Sequence, residues 1–222
     1  MVIDVDFFPE VHITLDGENM NVKITQIKKK DFNTARKYAI VGMNLNRYTS
    51  NNFELYFYSK YFWYSEISKA TRAYGAYIDD ELVGVLLANI KNEPKIFKSI
   101  RHKLFVKFIS CIIDIGYKAA AGVYDEANRQ MLNSFRAENE PDGELNFFAV
   151  NPEIKGKGIG TLLLNQLEHD ESGKLIYLYC DSGATFQFYQ KRGFNMSGKT
   201  EIKLTVDKKE VPLTCFLFSK RF

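Results

Sequence analysis

Apolar residues along this chain follow two spacings. Where they alternate with polar residues, a half-buried strand is expected. Where they recur every three to four positions, a helix with one buried face is expected. Val11-His12-Ile13-Thr14-Leu15 alternates, Asp16-Gly17 supplies a turn, and the run from Met20 to Ile27 closes a hairpin. Asp31 is placed to cap a helix over 32–43. A second helix is expected within 51–69, loaded with rings at Phe53, Tyr56, Phe57, Tyr58, Tyr61, Phe62, Trp63 and Tyr64. Strands at Tyr74–Ile78 and Leu82–Ala88 flank Asp79-Asp80 as a second hairpin.

Residues 95–117 then change period. Phe97, Ile100, Leu104, Phe108, Cys111 and Ile115 repeat at helical spacing, while Lys95, Lys98, Arg101, Lys103 and Lys107 surround the first half. A helix lying on a membrane surface has this pattern. The commoner reading is a helix whose apolar face covers a sheet while its lysines face water. Another helix is expected over 120–140, ending in the loop Glu138-Asn139-Glu140-Pro141-Asp142-Gly143. A strand at 144–150, a helix at 157–169, a strand at Leu175–Cys180 and a helix at 183–191 follow. Strands near 197–206 and 212–219, joined at Asp207-Lys208-Lys209-Glu210, complete the chain. This order describes a mixed α/β sheet. The expected division is an extension over 1–20 and a single domain over 21–222.

Composition narrows the chemistry. With 222 residues and 45% hydrophobic content, the chain can bury one large core. A net charge of +3 gives no case for nucleic acid as a partner. Cys111, Cys180 and Cys215 are odd in number and widely spaced, which suits a reduced, cytoplasmic setting. His12, His102 and His169 are equally scattered, so no metal site is expected. Asp4, Asp6 and Glu10 near the start argue against a secretory signal, and no apolar run approaches the ~18 residues of a membrane span.

The stretch Lys155-Gly156-Lys157-Gly158-Ile159-Gly160 lies between the strand and the leucine-rich helix that begins Thr161-Leu162-Leu163-Leu164. A glycine-rich loop that joins a strand to a helix presents free backbone N–H groups to phosphate. Lys155 and Lys157 add positive charge where the helix dipole already favours an anion. A P-loop would need Lys-Ser or Lys-Thr to close the loop, and a Rossmann fingerprint would need a third glycine at a different spacing. Neither is present.

Lys155-x-x-Gly158-x-Gly160 resembles the Arg/Gln-x-x-Gly-x-Gly/Ala signature of the GNAT (Gcn5-related N-acetyltransferase) superfamily, with lysine in the first position. The flanks agree. Phe148-Ala149-Val150-Asn151-Pro152-Glu153 looks like the family's strand and turn before the loop. Asp181-Ser182-Gly183-Ala184-Thr185-Phe186-Gln187-Phe188-Tyr189-Gln190-Lys191-Arg192-Gly193-Phe194 resembles its Asn-x-x-Ala-x-x-hydrophobic-Tyr-x-x-x-Gly-Phe helix, with Asp181 in place of Asn. The resemblance is strongest over 144–194.

This resemblance implies a fold, a cosubstrate and roles. The fold is a mixed, mostly antiparallel sheet flanked by helices, with its fourth and fifth strands splayed apart. The cosubstrate is acetyl-CoA, and the partner is an amine acceptor. Lys155, Gly156, Lys157, Gly158, Ile159, Gly160 and Thr161 would hold the pyrophosphate. Phe148, Ala149 and Val150 would pair through their main chain with the pantetheine arm, one amide polarising the thioester carbonyl. Asp181 would contact CoA. Tyr189 holds the position of the acid that meets the thioester sulfur, and Glu144 that of the base in histone-acetyltransferase-like members. The aromatic helix at 51–69 either packs on the sheet or walls the acceptor pocket. Cys180, on a strand expected to be buried, is read as a packing residue. The alternative function is an inactive acyl-CoA-binding regulatory module. Two copies could associate through the apolar face of 95–117 or the terminal strands.

Overall fold

The computed structural model describes residues 10–15, 18–43, 45, 51–116, 118–154, 156–206 and 209–222. The turns expected at Asp16-Gly17 and Asp207-Lys208 and the loop residue Lys155 lie outside the described residues. The strands are β1 (Glu10–Leu15), β2 (Glu18–Gln26), β3 (Arg72–Ile78), β4 (Glu81–Ile90), β5 (Gly143–Val150), β6 (Leu175–Asp181), β7 (Asn195–Val206) and β8 (Lys209–Arg221). The helices are α1 (Phe32–Gly42), α2 (Asn52–Lys69), α3 (Ile100–Gly116), α4 (Lys118–Glu138), α5 (Ile159–Asp170) and α6 (Gln187–Lys191).

One sheet runs in the order β1-β2-β3-β4-β5-β6-β8-β7. Every neighbouring pair is antiparallel except β5–β6. Asp79 and Asp80 both have positive φ (47° and 63°), the backbone of a tight two-residue hairpin turn, and this joins β3 to β4 directly.

Each sheet face is apolar because alternate strand residues point to it. On one face Ile159, Leu163, Leu164 and Leu167 of α5 pack on Ile24, Ala76, Leu86 and Leu178. On the other, Ala35 and Ala39 of α1 and Trp63 and Ile67 of α2 pack on Ala73, Val85, Leu87 and Phe147. Beside them on that second face, Ala127, Met131 and Phe135 of α4 cover Tyr177, Leu204, Leu213, Cys215 and Leu217. Helices α2 and α4 therefore flank the β5–β6 junction.

Close approach of α5 to β4 depends on Gly84. A Cβ there would lie 2.9 Å from Leu163 Cδ1 and 3.0 Å from Ile159 Cγ2. Gly84→Val should therefore destabilise the protein by about 1–3 kcal/mol, the usual cost of overpacking. Chemical denaturation with an unchanged midpoint would contradict this.

Three local expectations need correction. Asp31 makes no side-chain cap to α1; its carboxylate accepts from the Tyr77 hydroxyl at 3.0 Å instead. The helix expected over 183–191 is shortened to Gln187–Lys191. Asp181 Oδ1 accepts from the Gly183 amide at 2.7 Å, and this local turn takes the chain out of β6 before a helix can start.

The third correction concerns 95–117. Its helix begins at Ile100, where Ser99 Oγ accepts from the His102 amide at 3.3 Å. Residues before it are tied down as a connector: Ile96 donates to the Ala70 carbonyl at 3.1 Å, and the Phe97 ring meets Phe32 edge-on at 5.1 Å. The apolar stripe does not cover the sheet. Helix α3 leans on α2 through His102, stacked on Tyr64 at 4.0 Å, and Phe105, stacked on Phe57 at 6.5 Å, while Ile100, Leu104, Phe108 and Ile112 face outward.

Candidate functional site at the β5–β6 splay

Strands β5 and β6 meet at Gly143↔Ile176 and Glu144↔Tyr177 and then separate. Beyond that point β6 continues its pairing with β8, while Phe148, Ala149 and Val150 pair with Leu86, Val85 and Gly84 of β4 on their other side. The wedge between them exposes a strand edge, whose outward N–H and C=O groups can take an extended ligand chain.

A bulge at Asn146 sets what faces each way. Leu87 pairs with Phe147 and Ala88 with Leu145, so Asn146 is the extra residue. Leu145 faces the α5 side of the sheet, yet Phe147 and Ala149 face the α2 side. The normal alternation is inverted across the bulge, and Asn146 reaches α2. Its Nδ2 donates to Glu66 Oε2 at 2.7 Å.

At the mouth of the wedge stands the glycine loop. Gly156 and Gly158 have φ of 88° and 87°, the left-handed region that side chains resist. A Cβ at either would meet nothing within 4 Å, so glycine is required here by backbone shape and not by crowding. Gly158 is the N-cap of α5 and has no side chain to offer the first amides of the helix. Those amides have no partner within the helix itself and form an anion-accepting end. Arg192, which the motif reading did not single out, donates to the Thr161 hydroxyl and stacks its guanidinium 5.3 Å above the Phe188 ring. It brings a fixed cation to the start of α5. Asp181, at the end of β6, is held by its turn to Gly183.

Tyr189 lies on the α5 side of the wedge. Its ring is 6.5 Å from Phe148, 5.7 Å from Phe194 and 6.1 Å from Phe218. Burial, with Cys180 close by, pushes its hydroxyl well above the ordinary tyrosine range, so it stays protonated. Burial also pushes the Cys180 thiol up to about 12, which disfavours a nucleophilic thiolate.

Glu144 lies on the opposite, α2 side. The Tyr177 hydroxyl donates to it at 3.3 Å. Burial, then the negative charge of Glu66, raises its carboxyl pKa. Glu66 is itself 8% exposed and paired with Lys69 at 2.8 Å. Across from them on α4, burial raises the Asp125 carboxyl, while Lys69 pulls it down. Arg136, three turns further along α4, acts on Glu144, Tyr177 and Tyr179. Glu66 and Glu144 thus lie close together on this side, and Lys69 of α2 acts on both of them and on Asp125 of α4. Sequence reasoning had singled out only Glu144. The i, i+3 and i+4 spacing of Asp125, Asn128, Leu132 and Arg136 was the available signal for a shared helix face.

A shallow cavity of about 410 Å³ between α4 and β7, lined in part by Val123, Ala127 and Ile202, holds none of these residues. Among the described residues no cluster of three His, Cys, Asp or Glu side chains is placed to hold a metal ion.

Comparison with known proteins agrees with this architecture. No curated protein sequence matches the chain. Among solved structures, it is similar to an arylalkylamine N-acetyltransferase 7, described as putative, from the yellow fever mosquito. The TM-score is 0.61 at 13% identity, over 99% of this chain and 97% of that one. It is also similar to the polyamine N-acetyltransferase of Drosophila melanogaster, which forms N-acetylagmatine. There the TM-score is 0.59 at 14% identity, over 90% of this chain and all of the other. A histone acetyltransferase HPA2-related protein of Corynebacterium glutamicum gives 0.52 at 17% identity, over 87% and 93% of the two chains. These identities carry the fold alone. The acetyltransferase (GNAT) family matches residues 43–194, from just after α1 through the Tyr189 helix, and the chain belongs to that family.

Proposed function

We propose that residues 21–222 form an acetyl-CoA-dependent N-acetyltransferase acting on a primary amine. The observation that carries this reading is the wedge between β5 and β6 with an uncapped helix N-terminus at its mouth. The backbone amides from Gly158 to Thr161 bind the pyrophosphate, the Lys157 amide being already engaged with the Ile154 carbonyl at 3.4 Å, and Lys155, Lys157 and Arg192 help with their charge. The pantetheine arm runs along the free edge of Phe148, Ala149 and Val150, where an amide polarises the thioester carbonyl. Asp181 borders the same arm at the end of β6.

The acceptor enters from the α2–α4 side. An alkylamine has a pKa near 10.4 and arrives as an ammonium ion. Glu66, Asp125 and Glu144 attract that charge. Glu144 takes one proton, and the freed lone pair attacks the carbonyl carbon. The new C–N bond forms as the C–S bond breaks, and the nitrogen gives up its second proton to solvent to leave the neutral amide. From the far side of the wedge the Tyr189 hydroxyl donates to the departing sulfur and is reprotonated from solvent. Acid and base thus work on opposite faces of the sheet, with the carbonyl between them.

Tyr189→Phe keeps the ring packing and removes only the donor. It should lower kcat about 100-fold with little change in CoA affinity. Unchanged turnover would remove Tyr189 from the mechanism. The whole reading is tested by calorimetric titration with CoA alongside a thiol-release assay over a panel of amines. CoA binding with amine-dependent thiol release is expected. Binding without release by any amine would instead favour a non-catalytic CoA-binding module.

A further inference from the structure

The outward face of α3 plays no part in the site described above, and its composition is unusual. Ile100, Leu104, Phe108 and Ile112 are 78%, 63%, 65% and 48% exposed, a stripe with a four-residue period. At 1.5 Å per residue it runs about 18 Å along the helix. The inward face is already satisfied: His102 stacks on Tyr64, Phe105 meets Phe57, and Ile109 is buried. No rotation of α3 would hide the stripe without exposing those contacts.

Charge indicates what covers it. Between Pro94 and Ile113 the sequence holds five cations and no carboxylate, in a chain whose net charge is only +3. Lys95 is turned inward to Asn89. Lys98, Arg101, Lys103 and Lys107 are exposed, with Lys103 and Lys107 along one border of the stripe and Arg101 along the other. A second copy of this chain joined by a two-fold axis would set this cationic face against itself. Nucleic acid would use the cations but leave Ile100, Leu104 and Ile112 in water. A bilayer carrying anionic lipid satisfies both sets: the stripe enters the acyl boundary, and the flanking cations extend to the headgroups. No helix of the described residues is long and apolar enough to cross a membrane, so α3 would lie along the surface.

We infer that the outer face of α3 docks the protein on an anionic lipid surface. The test is co-sedimentation of the purified chain with phosphatidylcholine vesicles, with and without phosphatidylserine, at low and high salt. Binding is expected to need phosphatidylserine and to weaken as salt rises. Phe108→Glu should reduce it at least about tenfold, since a buried ring is replaced by a charge. The double variant Lys103→Glu, Lys107→Glu should do the same by reversing the border charge. All three side chains are exposed, so both variants should melt at the wild-type temperature. Failure to sediment with either vesicle, equal binding to both, or variants that bind as wild type would overturn the proposal. So would a wild-type dimer in analytical ultracentrifugation that Phe108→Glu makes monomeric.

Discussion

Gly158→Glu should abolish CoA binding in calorimetry, a loss of at least about a thousandfold. Two penalties act together. Position 158 has φ of 87°, and a side chain in the left-handed region costs roughly 1–2 kcal/mol. The new carboxylate would also stand at the N-cap of α5, where a diphosphate is proposed to bind. Two anions competing for one set of amides add several kcal/mol in a partly desolvated site. Since a Cβ at 158 meets nothing within 4 Å, the fold itself should tolerate the change apart from the backbone strain. Gly158→Ala provides the control: it carries the strain without the charge and should retain most of the affinity. Normal CoA binding by Gly158→Glu would exclude this loop as the phosphate site.

Glu144→Gln should lower kcat/KM about 100- to 10,000-fold, the range for loss of a general base. The pH profile separates this role from simple packing. Glu144 is raised above the ordinary carboxylate range by burial and by Glu66. A base must be unprotonated to act, so activity should fall as pH drops through this raised pKa. The acid limb of the wild-type profile should therefore lie above the about 4.3 of a free glutamate. Glu144→Gln should remove that limb. Its stability should not fall, because glutamine keeps the contact to Tyr177 and relieves repulsion from Glu66. An unchanged limb and rate would assign the base elsewhere, with Asp125 the next carboxylate to test.

How much was legible in the sequence depends on the range of each interaction. The hairpin at Asp79-Asp80, the strand at 144–150 and the loop opening α5 were all readable, since local patterns specify them. A two-residue turn demands particular backbone angles, and a glycine pair before a leucine-rich run marks a helix start. The cap expected from Asp31 failed because a distant hydroxyl, that of Tyr77, took its carboxylate. The expectation that α3 covers a sheet failed for a related reason. Periodicity reports that a helix has an apolar face but not which neighbour lies against it. Here α2 presents His102 and Phe105 with aromatic partners on one side, leaving the apolar stripe on the other.

By itself the sequence determined the order of elements, the glycine loop that opens α5 and the family to which the chain belongs, because each rests on residues near one another in the chain. Tertiary structure decided what those elements surround. The bulge at Asn146 turns Phe147 toward α2, and the limited pairing of β5 with β6 opens the wedge. Glu66 and Glu144 come from α2 and β5, and Lys69 of α2 acts on both and on Asp125 of α4, only because the sheet and its helices bury a common core. No local spacing records that meeting. Strand pairing and side-chain packing join segments far apart in the chain, and their free energy exists only once the whole fold has formed.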